Sequence, residues 1–246
     1  MPDTAADPAR RRARRRLLTA TAGAVLALVA GTLAAVRLLG SHGPEAGHLS
    51  PAARTRSASP GRPALTWRDV AGVRLPFSPT HGPHVIDHGH AAGYSRTREG
   101  AVLAAVQVLA RTSATAGPNV YRPVLGEQVI GPNTVAMGEQ LDDRYERLRR
   151  RPSNEPIRDD APIPGNNATV SGYLIDSYDQ ASGTASVEVL LGTPDVRPGQ
   201  VVSFAVTLRW TDGDWRVVAP PTGDWGTVAS LLDTAPTGTL DYGQVG

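Results

Sequence analysis

The sequence contains neither cysteine nor lysine. Without cysteine the chain can form no disulfide, thiolate metal site or cysteine nucleophile, although cysteine-free proteins occur on either side of a membrane. All 25 basic residues are therefore arginine, and alanine, glycine and proline are abundant. We interpret this pattern as a GC-rich coding bias rather than as a chemistry that needs arginine.

Charge is distributed unevenly along the 246 residues. Seven arginines and two acidic residues lie in the first 40 positions, which leaves 25 − 7 = 18 arginines against 23 − 2 = 21 acids beyond them. The main part of the chain is thus mildly acidic, and no direct nucleic-acid binding is expected. Its length suits one sizeable domain plus extensions.

The N-terminus predicts a membrane anchor. Six arginines within residues 9–16 precede 20 residues, 17–36, that contain no charge and no proline. As a helix this run would be about 30 Å long, the thickness of the hydrocarbon core of a bilayer. Since arginines resist translocation, we expect residues 1–16 in the cytoplasm, a transmembrane helix over 17–39, and an extracytoplasmic C-terminal domain.

Three other interpretations of this segment were weighed. A cleaved secretory signal would have a shorter apolar centre and a better processing site. The string RRRLL at 14–18 is similar to a twin-arginine export signal, but an arginine-rich flank produces it easily. A nucleic-acid-binding arm is disfavoured because a basic run beside a spanning segment usually orients it. Whether the segment is cleaved stays open.

Residues 40–94 are predicted to be a tether and a docking segment. The first part is dominated by serine, proline, alanine and glycine without periodicity, which is typical of a linker. Its end, near Trp67 to Phe77, carries enough apolar side chains to dock on a domain in an extended form.

Periodic structure begins at Thr97, an expected helix N-cap. The spacing of Val102, Val106 and Leu109 predicts an amphipathic helix over about 98–113. A second helix is predicted from near Val135, with acids early and arginines late, and Pro152 ends it.

Four runs with β-branched and aromatic residues follow, and they predict consecutive strands. They span residues 168–179, 184–193, 200–213 and 214–220. We therefore expect an α+β fold in which residues 95–220 form a cone-like domain of helices packed on a curved four-stranded antiparallel sheet. Residues 221–246 would form a C-terminal tail, with a short helix suggested by Trp225 and Leu231.

Two helices followed by a strand meander that ends in W-x-D-G-D-W-R-V, Trp210 to Val217, resemble the nuclear transport factor 2-like cone. The combination with an anchor and a tether is similar to inner-membrane scaffold subunits of type IV secretion and conjugation machines. Residues 72–106 also look like single-pass proteins of actinobacterial conjugative elements. The resemblance implies a membrane partner, other subunits of a transfer complex and a possible homo-oligomer, and it transfers no functional residue.

The stretch HGPHVIDHGH, residues 81–90, is the first candidate site. His81, His84, His88 and His90 could offer imidazoles to Zn²⁺ or Cu²⁺. Glycine and proline interrupt the stretch and no second ligand cluster exists, so we favour an exposed loop, no metal and no cofactor.

The second candidate is a pocket inside the cone, where a buried carboxylate acts as a general base in enzymes. The available side chains are Glu127, Tyr173, Asp176, Tyr178 and Asp179. Strand ends and turns usually leave carboxylates solvated, and no histidine accompanies them. The arginines at 147 and 149–151 could bind phosphate or an acidic partner, but we interpret them as residues favoured by a helix C-terminus.

These observations favour a non-enzymatic, single-pass membrane protein whose extracytoplasmic domain is a scaffold in conjugative DNA transfer. The alternatives are a small-ligand or enzymatic domain on the same anchor and, more weakly, a metal chaperone centred on residues 81–90.

Overall fold

The computed structural model describes residues 65–87, 89–151, 157–164, 168–193 and 196–242. The predicted cytoplasmic segment, transmembrane helix and tether, up to residue 64, lie outside these ranges. Among the described helices none is long and apolar enough to cross a bilayer.

Three α-helices are present in the described part of the chain: α1 (Arg98–Arg111), α2 (Pro118–Gln128) and α3 (Thr134–Arg149). The predictions of α1 and α3 are confirmed to within two residues at most ends. Thr97 caps α1 as expected, since its Oγ1 accepts a hydrogen bond from the Gly100 amide at 3.1 Å. Helix α2 was not predicted.

Ten strands are described. They are β1 (Thr66–Val70), β2 (Val73–Phe77), β3 (Val85–Asp87), β4 (His90–Ala92), β5 (Val129–Ile130), β6 (Thr169–Asp179), β7 (Thr184–Gly192), β8 (Val201–Thr211), β9 (Asp214–Val218) and β10 (Ala229–Leu232). Eight of them form one sheet in the order β1-β2-β6-β7-β8-β9-β5, with β10 paired to β8. Strands β3 and β4 form a separate hairpin.

The predicted four-stranded antiparallel sheet is therefore wrong. The antiparallel meander β6 to β9 exists, but β1 and β2 extend it at one end and β5 at the other. The pairs β2/β6 and β5/β9 are parallel, so the sheet is mixed. The added strands are only two to five residues long, and such short segments are decided by pairing with the sheet rather than by local pattern.

Helix α1 lies in the centre of the fold. It contacts β2, β6, β7, β8 and β9, so the curled sheet surrounds it. Val102, Leu103 and Val106 are fully buried, and so are the alanines between them. A helix that is apolar on every side belongs in a core, and each such large side chain contributes about 1.5–3 kcal/mol. The expectation that only one face of this helix is buried is wrong.

The C-terminal segment is also part of the fold. The Trp225 indole is buried and donates to Thr112 Oγ1 at 3.0 Å. Residues 229–232, expected to be helical, form strand β10 beside β8. Leu240 then pairs with Tyr173 on β6, and Thr239 packs over Gly172, so the chain crosses β7 and β8 to reach β6.

Candidate functional site in the strap between β2 and α1

The residues that connect β2 to α1, Ser78 to Ser95, will be called the strap. They include the β3–β4 hairpin and the histidine-rich stretch. His84 and all of β3 are exposed, whereas β4 is buried against α2. The strap thus presents one strand to solvent and buries the other.

Helix α1 supplies the first anchors of the strap. Arg111 and Gln107 lie one turn apart and are both fully buried. Arg111 Nε donates to the Gly89 carbonyl at 3.0 Å, and its Nη1 donates to Gln107 Oε1. Gln107 Nε2 in turn donates to the carbonyl of Pro76 at 2.7 Å. These bonds tie the turn of the β3–β4 hairpin, and the strand β2 that leads into the strap, to α1.

Helix α2 and strand β9 supply the other anchors. The Gln128 side chain accepts from the Ala91 amide at 3.2 Å and donates to the Ala91 carbonyl. Asp214 accepts the amides of Gly93 and Tyr94 at 2.8 and 3.0 Å. The Trp215 indole donates to the Ser95 carbonyl at 3.0 Å. Each bond satisfies a backbone group that the hairpin leaves unpaired, which is what a buried loop needs.

The anchors create an unusual electrostatic environment. Burial lowers the pKa of Arg111, while the nearby Tyr94 phenol opposes that shift. Burial also raises the pKa of Tyr94 far above its ordinary value. Arg111 forms no ion pair with a carboxylate of the described residues, and the Tyr94 hydroxyl has no hydrogen-bond partner there. A buried cation held only by neutral groups makes this junction costly to assemble and costly to lose.

The described histidines of the strap do not come together as a metal site. His81 Nδ1 lies 3.0 Å from Ser95 Oγ and 3.2 Å from Thr97 Oγ1. His84 is exposed, and His90 is buried with its Nε2 3.1 Å from Glu127 Oε2. His88 lies outside the described residues. Within the part of the chain that the structure describes, no three histidine or acidic side chains could hold one metal ion.

The three candidate carboxylates lie on the surface. Asp176 is exposed and accepts from Ser186 Oγ, and Asp179 caps the β6–β7 turn, which lowers its pKa. Glu127 faces His90 at the surface. Tyr178 donates to the Arg96 carbonyl, and the buried Tyr173 has a pKa raised mainly by burial. Apolar residues of α1 fill the interior, which is where the alternative, enzymatic interpretation would place a catalytic pocket.

An open depression of about 460 Å³ lies beside the N-terminal end of α1, away from Arg111. It is lined by Arg98, Glu99 and Val102 of the helix and by Tyr173, Leu174 and Ile175 of β6. On this side β6 pairs with β2 and with Leu240 only as far as Tyr173. The depression therefore sits in a gap of the sheet.

Sequence reasoning missed the anchors, namely Gln107, Arg111, Gln128, Asp214 and Trp215. For two of them a signal was present. Gln107 and Arg111 are polar residues four apart in an otherwise apolar helix, a spacing that places them on one face. Such a pair indicates a buried polar contact, whereas Gln128 and Asp214 could not be assigned without the fold.

Fold and site together define a small α+β domain in which a mixed sheet encloses one apolar helix and holds an outward-facing hairpin. Residues 34–237 match the family described as a domain of unknown function, DUF8175, and the chain belongs to that family. No curated protein and no solved structure matches the chain.

Proposed function

We propose that this protein is a non-enzymatic, single-pass membrane protein whose folded part lies outside the cytoplasm and acts as an assembly module. The observation that supports an assembly role is the hairpin edge strand β3. The resemblance of the sequence to scaffold subunits of conjugation machines supplies the context, a conjugative DNA-transfer complex. Residues 9–39 supply the reason for the membrane location.

Strand β3 has the properties of a protein-binding edge. Within the described chain β4 is its only neighbour. Its two apolar side chains are about half exposed, Val85 at 51% and Ile86 at 48%. The anchors beneath the strap hold β4 in place, so β3 is presented without a large loss of entropy on binding. An exposed edge strand with β-branched residues is a ready template for pairing with another chain.

The partner that we propose for β3 is β3 of a second copy. A two-fold axis between antiparallel strands pairs Ile86 with its own counterpart and covers the exposed apolar side chains of both copies. Three residues bury far less surface than a stable free dimer requires. A shared membrane raises the effective concentration of the copies and compensates for that small area. The self-pairing should therefore be stronger in membranes than in dilute detergent.

Because the chain has no cysteine, single substitutions give a clean cross-linking test. Antiparallel partners have Cα atoms about 4.5–5.5 Å apart, which suits a disulfide. We expect Ile86→Cys in the full-length protein to form a disulfide dimer in membranes under mild oxidation. Val135→Cys is the matched control, since Val135 is 74% exposed on α3. Equal cross-linking of the two variants, or none by Ile86→Cys, would show that β3 does not pair with itself.

The role in DNA transfer needs a separate test in a donor strain. Ile86→Asp should lower the transfer frequency of the element that carries the gene, and Val135→Asp should not. Wild-type frequency after deletion of the whole folded part would rule out the transfer role while leaving the self-association result standing.

The depression beside α1 favours a second candidate, a small-ligand domain on the same anchor. Its volume and its two charged lining residues, Arg98 and Glu99, suit a small polar molecule. Leu174→Trp should narrow it. If ligand-observed NMR with a fragment set detects binding to the wild type that this variant loses, the ligand function is favoured over the assembly role.

A further inference from the structure

The C-terminal end of α3 concentrates arginine. Residues 144–151 read RYERLRRR, so five of the 18 arginines beyond residue 40 occur in eight positions with one acid. The rest of this part of the chain is acidic by comparison. We call Arg144, Arg147, Arg150 and Arg151 the arginine patch.

The patch is a feature of the surface. Met137, Leu141, Tyr145 and Leu148 form the buried face of α3, and Arg144 beside them is half-buried. Arg147, Arg150 and Arg151 are exposed. Arg144 and Arg147 are three positions apart on α3, which places them on one helix face, and Arg150 and Arg151 follow directly at its C-terminal end.

The acids near the patch pair mainly with Arg149, which is not a member of it. Asp159 Oδ1 lies 2.6 Å from Arg149, and Glu146 contacts Arg149 and Arg150 at 3.6 and 3.9 Å. Arg147 and Arg151 form no ion pair with another described residue. The negative end of a helix dipole is equivalent to about half a charge, which is too little to balance this many guanidinium groups.

Arg144 lies close enough to Arg147 and Arg151 for their charges to affect it. The pKa of Arg144 is lowered chiefly by burial, and the positive charges of Arg147 and Arg151 lower it further, although Asp224 acts in the opposite direction. A surface that repels itself is stabilised when an external anion arrives.

We propose that the arginine patch binds the phosphate groups of anionic membrane lipids and docks the folded domain on the bilayer surface. This rests on the membrane anchor of the proposed function. Residues 40–64, as the tether that the sequence predicts, have a root-mean-square span of about 25–30 Å, which keeps the domain near the headgroups. Guanidinium groups suit phosphate because they donate in a planar fork. An anchor plus a basic patch is a common pair of membrane signals.

The test uses full-length protein labelled at Thr207→Cys or Val135→Cys and reconstituted in vesicles with an acceptor dye on the headgroups. Val135 lies on α3, and Thr207 is exposed on β8, away from it. Vesicles of phosphatidylcholine are compared with an equal mixture of phosphatidylcholine and phosphatidylglycerol. We expect energy transfer from Val135→Cys to rise in the mixture more than that from Thr207→Cys, and to fall back in high salt.

In the same vesicles Arg147→Ala/Arg150→Ala/Arg151→Ala should lower the docked-to-undocked ratio on the order of 100-fold. The control Arg74→Ala/Arg197→Ala/Arg209→Ala removes as many exposed charges and should retain docking. Equal denaturation midpoints would show that both variants fold. Competition by millimolar inorganic phosphate would identify a free-phosphate site, and lipid-independent capture of an acidic protein would identify a protein partner. Either of these results, or docking that the triple variant retains, overturns the lipid proposal.

Failure of the anchor gives a different result. If the full-length protein does not float with phosphatidylcholine vesicles, the predicted membrane anchor is wrong. Flotation with the mixed vesicles then measures lipid binding by the arginine patch alone. Flotation with the mixed vesicles that the triple variant loses still supports lipid binding, and no flotation with either vesicle overturns it.

Discussion

Helices α1 and α3 are of similar length but have opposite roles. Helix α1 is buried on nearly every side, and its two buried polar residues, Gln107 and Arg111, are used to hold the strap. Helix α3 buries one face and leaves most of its arginines at the surface. Arginine is thus an internal anchor in α1 and an exposed surface residue in α3, and burial decides which.

Among substitutions that test this contrast between the helices, Arg111→Ala should cause the largest loss of stability. The substitution opens a cavity and leaves the Gly89 carbonyl and Gln107 Oε1 without a donor. We expect a loss of about 3–5 kcal/mol in the free energy of unfolding, measured with urea. Arg147→Ala on α3 should change it by no more than about 0.5 kcal/mol. Similar losses for both variants would contradict the distinction between the two helices.

Alkaline pH should destabilise the protein through its buried tyrosines, and more through Tyr94, near Arg111 of α1, than through Tyr145 of α3. Burial raises the pKa of Tyr94, which packs near Arg111, and to a smaller extent that of Tyr145 on α3. The unfolded chain loses these protons near pH 10 while the folded chain keeps them. The stability present below pH 10 therefore falls as the pH rises above it, by about 1.4 kcal/mol per pH unit for Tyr94.

Because lysine is absent, no lysine titration obscures this range. Urea titrations at several pH values from 9 upward should give a shallower decline for Tyr94→Phe than for Tyr145→Phe. A decline that neither variant alters would assign the alkaline effect to other groups.

The smallest expected effect concerns the helix N-caps. Thr97 caps α1 with a side-chain hydrogen bond, whereas Asn133 makes no such bond at the start of α3. Thr97→Ala should cost about 1 kcal/mol, and Thr97→Ser should keep most of the stability. Asn133→Ala should cost less than Thr97→Ala in the same denaturation measurements, and the reverse order would show that the caps do not distinguish these helices.

The helices and the strands of the meander were accessible to sequence reasoning because their patterns are long. Helix α2 escaped it, since Pro118, Pro123 and Gly126 make PNVYRPVLGEQ resemble a loop, although proline at the first position is favourable in a helix. Strand β2 contains Pro76, which suggested an extended docking segment rather than part of the sheet. Strand β10 is too short for a two-residue period to distinguish it from the helix that was expected.

For the candidate site, the sequence drew attention to residues 81–90, where an exposed loop was favoured over a set of metal ligands. Of the histidines that the structure describes, His84 is exposed, His81 joins the hydrogen bonds around the α1 cap, and His90 is buried against Glu127. What holds the strap comes from residues far away in the chain. Asp214, for example, is about 120 positions from the two amides that it accepts. No local pattern encodes such a contact.

By itself the sequence determined the charge asymmetry, the cysteine-free chemistry, the long helices and the meander, because composition and periodicity act over neighbouring residues. The tertiary structure alone decided that the sheet is mixed and has eight strands, that α1 is enclosed, and that β3 faces outward while β4 is buried. Those outcomes depend on which distant groups satisfy one another's hydrogen bonds and cover one another's apolar surface. That choice is made by the whole chain at once.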